Sequence, residues 1–577
     1  MMSLAAVFAT LLITLAPVGA RAQASAGPTT AGDSLELSRQ VRDAQRNFER
    51  TRRANLPAEL EGPRVGCDER IGRYCYWYDP RTDSAPPESR VIVEARERLL
   101  RELAAAAEQL PADRWISGQQ VRYLVEQELV DSALTVALRC RAIRWWCDAL
   151  RGFASHAGRD FPGAESWFRQ ALEGMPDTQR CAWTDLGPLL GDDARLYRLV
   201  PCARRDSLEE RIWWLARPLY SRAGNDLRTE HYARRTMALL VKDAATPDGF
   251  RWGADREQLV LRFGWPTQWS RAVDQGGGTG PPLVLGHEAS PSFWFFPTPI
   301  LAEPWADVTQ VRWNPNMEHP PARYAPAYTA GFDRIERVQF ARFQRNDTTL
   351  TVAAYDLTPD SVFATQPADV RLALGRDPAT PVILAPVSLA RSRGVLVVRT
   401  PWRPAVVSLE AVGLDSPWVA RRRVMAAPDP GGVLPVVSDI LLFTPDRALP
   451  QSLDAALPAA LAASVSVGRR LGLYWEIYPR PDSTAPMEIS VTVLRSGSRD
   501  AAIYPAGRSF CPFTSQSRVR LRWVEQPNAR PPGPGRAVVL DLGPLARGTY
   551  TVSLQLGPAG RPRGCSSREF QIGSRSR

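Results

Sequence analysis

Lysine is almost missing from this chain. Of its 72 lysines and arginines only Lys242 is a lysine, so nearly every positive charge is an arginine. A formal net charge of +11 would suit a nucleic-acid or acidic-surface partner. The arginines are scattered, however, and their longest run is Arg421-Arg422-Arg423. A nucleic-acid binder gathers its basic residues on one face or stripe. The bias therefore reads as the codon composition of a GC-rich genome, and no nucleic-acid partner is expected.

Histidine is scarce as well. The four are His156, His231, His287 and His319, and they fall in unrelated contexts. No Gly-x-Ser-x-Gly, His-Glu-x-x-His or Cys-x-x-Cys occurs. Nucleophilic hydrolysis needs a Ser or Cys held beside a His, and zinc needs close pairs of Cys or His. The glycine-rich stretch Gly276-Gly277-Gly278-Thr279-Gly280 lacks the lysine and following helix of a phosphate loop. No catalytic residue, metal or cofactor is expected on these grounds. A carboxylate pair for glycoside hydrolysis stays open, because it needs only two acids at a set separation in space.

Long apolar runs are missing after the N-terminus, so no transmembrane span is expected in the mature chain. The first 22 residues differ. Leu4 to Ala16 is an apolar or small run of 13 residues, Pro17 and Gly19 break it, and Ala20-Arg21-Ala22 supplies small residues for cleavage. That is the layout of a secretory signal peptide, too short for a stable span. No basic residue precedes the run, which leaves a signal anchor as the alternative. The eight cysteines fit export. In an exported chain an even number without metal spacing reads as disulfides. Pairing of neighbours gives Cys67–Cys75, Cys140–Cys147, Cys181–Cys202 and Cys511–Cys565. Residues seven apart on one helix lie about 10.5 Å apart along its axis, and a disulfide tolerates Cα separations only to about 7 Å. Cys140–Cys147 therefore requires a turn, expected at Ala142 to Arg144.

What is present is enough chain for several cores. The 577 residues predict roughly three to four domains. Hydrophobic content of 44% is ordinary for a globular protein, and 51 prolines point to many loops and edge strands. Residues 34–55 and 89–110 read as helices; in the second, Ile92, Ala95, Leu99, Leu103, Ala106 and Leu110 recur at helical spacing before Pro111. Between them Cys67 and Cys75 bracket an aromatic segment, read as a small core.

Over 111–177 the residues Gly152, Ala164, Phe168, Ala171 and Pro176 fall at spacings 12, 4, 3 and 5, and Gly118, Val130, Leu134, Ala137 and Ala142 precede them by 34. This resembles the tetratricopeptide repeat, whose helix pairs need small residues where the helices approach. The second copy matches well. The first is looser, with Val130 at a small-residue position and no terminal proline. Two helix pairs are expected, with a plain helical bundle as the alternative. Repeats of this kind commonly bind partner segments in a concave groove. The expected groove residues are Gln119, Arg122, Tyr123 and Glu126.

Over 203–300 the order is Arg211-Ile212-Trp213-Trp214-Leu215, Glu230-His231-Tyr232, Arg251-Trp252-Gly253-Ala254-Asp255, Phe263-Gly264-Trp265-Pro266 and Phe293-Trp294-Phe295-Phe296. This resembles the GWxTD domain of bacterial exported proteins. Trp252 and Asp255 occupy motif positions; Arg251 stands for the motif's Gly and Ala254 for its Thr. The family has no established activity, so the resemblance implies architecture. Trp252 is expected to anchor a turn and Asp255 to accept backbone N–H bonds within it. Leu259, Leu261 and Phe263 alternate with Val260 and Arg262, which predicts a strand.

Beyond residue 330 the period becomes two. Val338–Phe343, Leu350–Tyr355, Val370–Leu374, Gly394–Thr400, Val406–Val412 and Ser438–Phe443 predict strands, as do Leu471–Tyr478, Ile489–Leu494 and Val519–Val524. Pro445 to Ala463 reads as a connector. The segment Leu545–Leu554 resembles the closing turn and strand of immunoglobulin-like modules. The expected fold class is α+β multidomain: a signal peptide over 1–22, a linker and helical region over 23–110, tetratricopeptide-like repeats over 111–202, a GWxTD-like domain over 203–300, a β-sandwich over 330–445 and an immunoglobulin-like β-sandwich over 465–577. The expected role is that of an exported, non-enzymatic interaction or scaffold protein of the cell envelope with a polypeptide partner. The alternative is a carbohydrate-binding or carbohydrate-active protein, since sugars stack on aromatic faces and the chain has 18 tryptophans.

Overall fold

A computed structural model describes residues 31–59, 69–76, 87–190, 194–272, 283–287, 331–359, 363, 366–385, 392–401, 403, 405–415, 418–426, 437–462, 470–478, 486–496, 519–526, 535–558 and 564–573. The expected signal peptide, the glycine-rich stretch 276–280, the aromatic segment 293–296 and His319 lie outside the described residues.

The first half is mainly helical. Helices α1 (Ala31–Ala54) and α2 (Arg90–Gln109) pack together. Their apolar stripes, Val41 and Phe48 on one and Ile92, Leu99 and Leu103 on the other, share a core with Trp115, Ile116 and Tyr123. Between them lie the short strand β1 (Ala58–Glu59) and the hairpin β2 (Glu69–Ile71) and β3 (Tyr74–Tyr76). Four helices follow: α3 (Arg114–Glu126), α4 (Val130–Arg139), α5 (Arg144–Ala157) and α6 (Phe161–Gly174). Consecutive members pack side by side. Asp113 starts α3 by accepting from the Trp115 and Ile116 N–H groups, and Asp160 starts α6 through the Gly163 N–H. The small residues sit where helices touch. A Cβ on Gly152 would lie 2.8 Å from the Phe168 ring, and one on Gly118 would lie 2.7 Å from Leu240.

Cys140 and Cys147 are bridged across the turn between α4 and α5, with Cα atoms 5.6 Å apart. After α7 (Asp177–Thr184) and α8 (Ala194–Arg198), Cys181 is bridged to Cys202 at 5.9 Å. Cys75 and Cys565 are also in disulfide form. Cys67 and Cys511, and so the pairings proposed for them, lie outside the described residues. Helices α9 (Asp206–Ala216) and α10 (Asp226–Lys242) follow, and α10 lies against α3, α5 and α6.

Helix α11 (Ala254–Phe263) corrects the strand expected at 259–263. Five alternating residues fit either element. Its buried residues, Arg256, Val260, Leu261, Arg262 and Phe263, include the helical spacing 256, 260 and 263. Asp255 and Glu257 in the first turn suit a helix N-terminus, and Gly264 ends the helix with φ of 83°. Strands β4 (Gln268–Ala272) and β5 (Val284–His287) then join β1 in a small sheet of order β1-β4-β5.

The second half consists of antiparallel sheets with one parallel pair. Strands β6 (Gly331–Arg334), β7 (Arg337–Arg345), β8 (Thr348–Asp356), β9 (Ala368–Gly375), β10 (Ile383–Leu384), β11 (Arg393–Pro401), β12 (Ala405–Gly413) and β13 (Trp418–Ala426) form sheets of order β10-β9-β12-β13-β6 and β11-β8-β7. Both contribute to one core, including Val338, Tyr355, Leu372, Leu396 and Leu409. Strands β14 (Leu441–Phe443), β15 (Arg470–Glu476), β16 (Met487–Arg495), β17 (Val519–Glu525), β18 (Gly535–Asp541), β19 (Gly548–Gly557) and β20 (Gly564–Ile572) form a second pair of sheets, β14-β15-β18 and β17-β16-β19-β20. Their shared core includes Leu473, Trp475, Val491, Tyr550 and Phe570. The connector expected at 445–463 holds a short helix, Leu453–Ala456, whose Leu453 and Ala456 pack with Phe343, Phe443 and Tyr474 between the two sheet units.

Strand β13 was hidden in the sequence by its arginines. Arg421 and Arg423 point inward and are 3% exposed. Arg421 Nη1 donates to the Arg217 and Pro218 carbonyls at 2.9 and 2.8 Å, and Arg423 Nη1 to the Leu215 carbonyl at 2.7 Å. On the neighbouring β12, buried Glu410 accepts from the Tyr220 and Ser221 N–H groups, both at 2.8 Å. The turn after α9 is thereby fastened to the first sheet unit.

Candidate functional site

The four residues expected to line a groove are instead inside the protein. Gln119, Arg122 and Tyr123 are 1%, 0% and 0% exposed, and the Glu126 side chain is 5% exposed. Helix α1, which the repeat pattern left out of account, covers them. Arg122 Nε donates to Glu126 Oε1 at 2.9 Å and its Nη2 to Glu49 Oε1 at 3.4 Å. The Tyr123 hydroxyl donates to Glu49 at 2.7 Å and accepts from Gln45 at 2.8 Å. Arg52 pairs with Glu126 at 3.0 Å and with Glu88 at 3.4 Å, and Arg96 donates to both oxygens of Glu88. Gln119 donates to the Leu240 carbonyl at 2.6 Å. Three arginines thus face three glutamates, so the buried cluster is balanced in charge. Burial pushes the Glu126 carboxyl up, but Arg122 and Arg52 outweigh it and hold it at about 2. Burial dominates at Glu49, whose carboxyl is raised despite Arg52 and Arg122.

Of the two motif residues, Asp255 fastens the β2–β3 hairpin to the start of α11. It accepts from Arg73 Nε at 2.7 Å, Arg73 Nη2 at 2.8 Å and the Arg73 N–H at 3.2 Å, and from the Arg256 N–H at 2.8 Å. The hydrogen bonds from Arg73 hold its carboxyl well below the usual range. Trp252 is half-buried and packs against the helical core. Asp255 thus accepts backbone N–H bonds from Arg256 beside it and from Arg73, and its main partner, the Arg73 side chain, comes from a distant hairpin and not from the turn.

Two histidine clusters escaped the sequence reading because their partners are far away in the chain. His156 Nε2 lies 2.6 Å from Glu230 and its Nδ1 2.9 Å from the Thr229 hydroxyl. In the small sheet the Ser270 hydroxyl lies 2.8 Å from His287 Nε2 and 2.7 Å from Glu59 Oε2. Ser270 is 0% exposed, and its hydroxyl is engaged on both sides. In a hydrolase the histidine stands between the serine and the acid; here the serine stands between the other two. His231 is wholly buried between Trp213 and Tyr232, and burial with the nearby Arg235 pushes its imidazole well down, so it is a neutral core residue. Among the described residues no group of His, Cys, Asp and Glu is arranged to hold a metal ion.

A cavity of about 520 Å³ opens where the two sheet units meet. The β7–β8 turn contributes Gln344, Arg345 and Asn346, the start of the short helix gives Ser452 and Asp454, and β15 gives Tyr474 and Glu476, with Tyr478 just beyond. Glu476 holds Arg345 in a two-point contact at 2.5 and 2.8 Å and also accepts from the hydroxyls of Tyr474 and Tyr478, both at 3.0 Å. Burial and the adjacent Glu476 push both phenols up.

A scan against protein-family models gives no match to the chain, and no curated protein matches it. Among solved structures, one described as "Structural basis of neurohormone perception by the receptor tyrosine kinase Torso" is 9% identical, with 43% of this chain and 76% of that chain covered and a TM-score of 0.12. A likeness at that level carries no argument about this chain.

Proposed function

We propose that this chain is an exported, non-enzymatic scaffold or interaction protein of the cell envelope, acting on a polypeptide partner. The observation that carries the reading is the seam at Arg421, Arg423 and Glu410. Buried charged side chains there are committed to backbone groups of the 215–221 turn, and so to holding the helical and sheet halves in fixed relation. The Arg122 cluster is spent on carboxylates inside the helical half, and Asp255 on Arg73 of the β2–β3 hairpin. On this reading 111–202 is a tetratricopeptide-like region, 203–300 a GWxTD-like domain, and the two sheet units β-sandwiches, the second immunoglobulin-like. The two disulfides between described residues agree with an oxidising compartment. No helix among the described residues is long and apolar enough to cross a membrane.

Two measurements test the proposal. Mass spectrometry of the mature protein should find its N-terminus at Gln23 or Ser25; a chain still starting at Met1 contradicts export. Cross-linking of the tagged chain in envelope preparations should recover one defined polypeptide. Turnover of a glycan or peptide, abolished by a single Asp or Glu substitution, would make the chain an enzyme. A second reading, carbohydrate binding, is favoured by one observation, the polar cavity between the sheet units.

A further inference from the structure

We infer that the cavity between the two sheet units is a binding site for a neutral oligosaccharide. The inference rests on the second reading above and is independent of the scaffold reading. Its volume, about 520 Å³, falls in the range of small-molecule sites. The charge of its described wall disfavours anions and metal ions. Among the described residues Arg345 is the cation of the lining, and Glu476 neutralises it through two hydrogen bonds. Both Glu476 oxygens are in turn occupied by Arg345 and the two tyrosine hydroxyls, which leaves no open carboxylate pair for a metal. Asp454 then gives the mouth a negative charge, which repels anions.

The remaining groups suit hydroxyls. Gln344 donates from Nε2 to the Asn346 carbonyl at 3.1 Å and so fixes the β7–β8 turn beside the cavity. The Asn346 amide and the Asp454 carboxylate are exposed at the rim and can each hold a pair of adjacent hydroxyls. The Tyr478 ring is fixed at both sides of its hydroxyl, which accepts from the Gln344 N–H at 2.7 Å and donates to Glu476. An immobile half-buried aromatic beside amides and a carboxylate is a surface on which a sugar ring can lie while its hydroxyls are bonded. Gly535 keeps the wall thin, because a Cβ there would come within 2.6 Å of the Gln451 carbonyl and 2.8 Å of the Tyr474 hydroxyl.

The test uses the full mature chain with its disulfides intact. Isothermal titration and saturation-transfer NMR are run with a neutral panel of maltotriose, cellotriose and chitotriose. At least one should bind, and a sulfated trisaccharide should not. Asp454→Ala and Asn346→Gly should each weaken that binding about 5-fold, as expected for one lost hydrogen bond, with unchanged thermal stability. Glycine is chosen because Asn346 has φ of 56°, which alanine would resist. Binding that is unaltered in both variants leaves the carbohydrate reading standing and overturns this site. Binding of none of the panel overturns both, and preference for the sulfated sugar overturns the assignment to neutral ligands.

Discussion

Arg122 illustrates why a charged residue at helical spacing does not announce its own exposure. Its guanidinium lies over the Tyr123 and Trp265 rings, 4.7 and 5.4 Å from their centres, and is bonded to Glu126, Gln119 and Glu49. Removing one partner of a buried ionic cluster strands the others and costs about 3–5 kcal/mol. Arg122→Ala should therefore lower the urea midpoint of the helical region markedly, where a groove residue would leave it unchanged. Glu209 gives a pH signature. Burial raises its carboxyl from 4.5 to about 7, despite the lowering effect of hydrogen bonds from Tyr197 and Thr184. A carboxyl raised in the folded state contributes stability that is complete below about 4.5 and is lost as pH rises through about 7. The shift corresponds to about 3 kcal/mol. Thermal stability should fall from pH 5 to pH 8, and Glu209→Gln should flatten that fall; an unchanged slope would contradict the assignment.

At the scale of elements, the sequence was most readable where spacing alone decides. Helices α1 and α2, the strands β7, β8 and β12 and the turn between Cys140 and Cys147 all follow from periodicity or from the reach of a disulfide. That bridge closes a short loop, and in the chain-entropy model it stabilises the fold by about 2–3 kcal/mol. Cys140→Ser with Cys147→Ser should lower the unfolding free energy by about that amount, measured against the oxidised parent. Periodicity failed in two places. Five residues were too few to separate the helix α11 from a strand. The inward arginines of β13 broke the apolar alternation by which a strand is recognised.

At the scale of the whole molecule, polar seams join units that the sequence presents as separate. Arg342 meets Asp439 at 3.0 Å, Gln339 exchanges hydrogen bonds with the backbone of Leu442, and Arg568 donates to the Phe340 and Ile440 carbonyls. The helical half is joined to the sheets through Glu410 together with Arg421 and Arg423. Glu410→Ala would leave the Tyr220 and Ser221 N–H groups without their acceptor and Arg423 without its nearest acid. The expected result is a loss of about 3–5 kcal/mol and a split of the calorimetric transition, with the helical half and the sheet half melting apart. A single transition at the parent temperature would show that this seam does not couple them.

The sequence by itself determined the local choices: where helices start at Asp113 and Asp160, which small residues let helices approach, and the change from helical to alternating periodicity near residue 330. These depend on neighbours a few positions away. Only the tertiary structure decided which polar residues are spent inside the fold. Arg122 is buried because α1, some 70 residues earlier, supplies Glu49 as its partner. Asp255 meets Arg73 across 182 residues, and Arg423 meets the Leu215 carbonyl across 208. The cavity between the sheet units likewise takes its walls from segments near 345, 453 and 476. A charged side chain is written identically in sequence whether water or a distant carboxylate will satisfy it, because burial depends on the packing of remote segments.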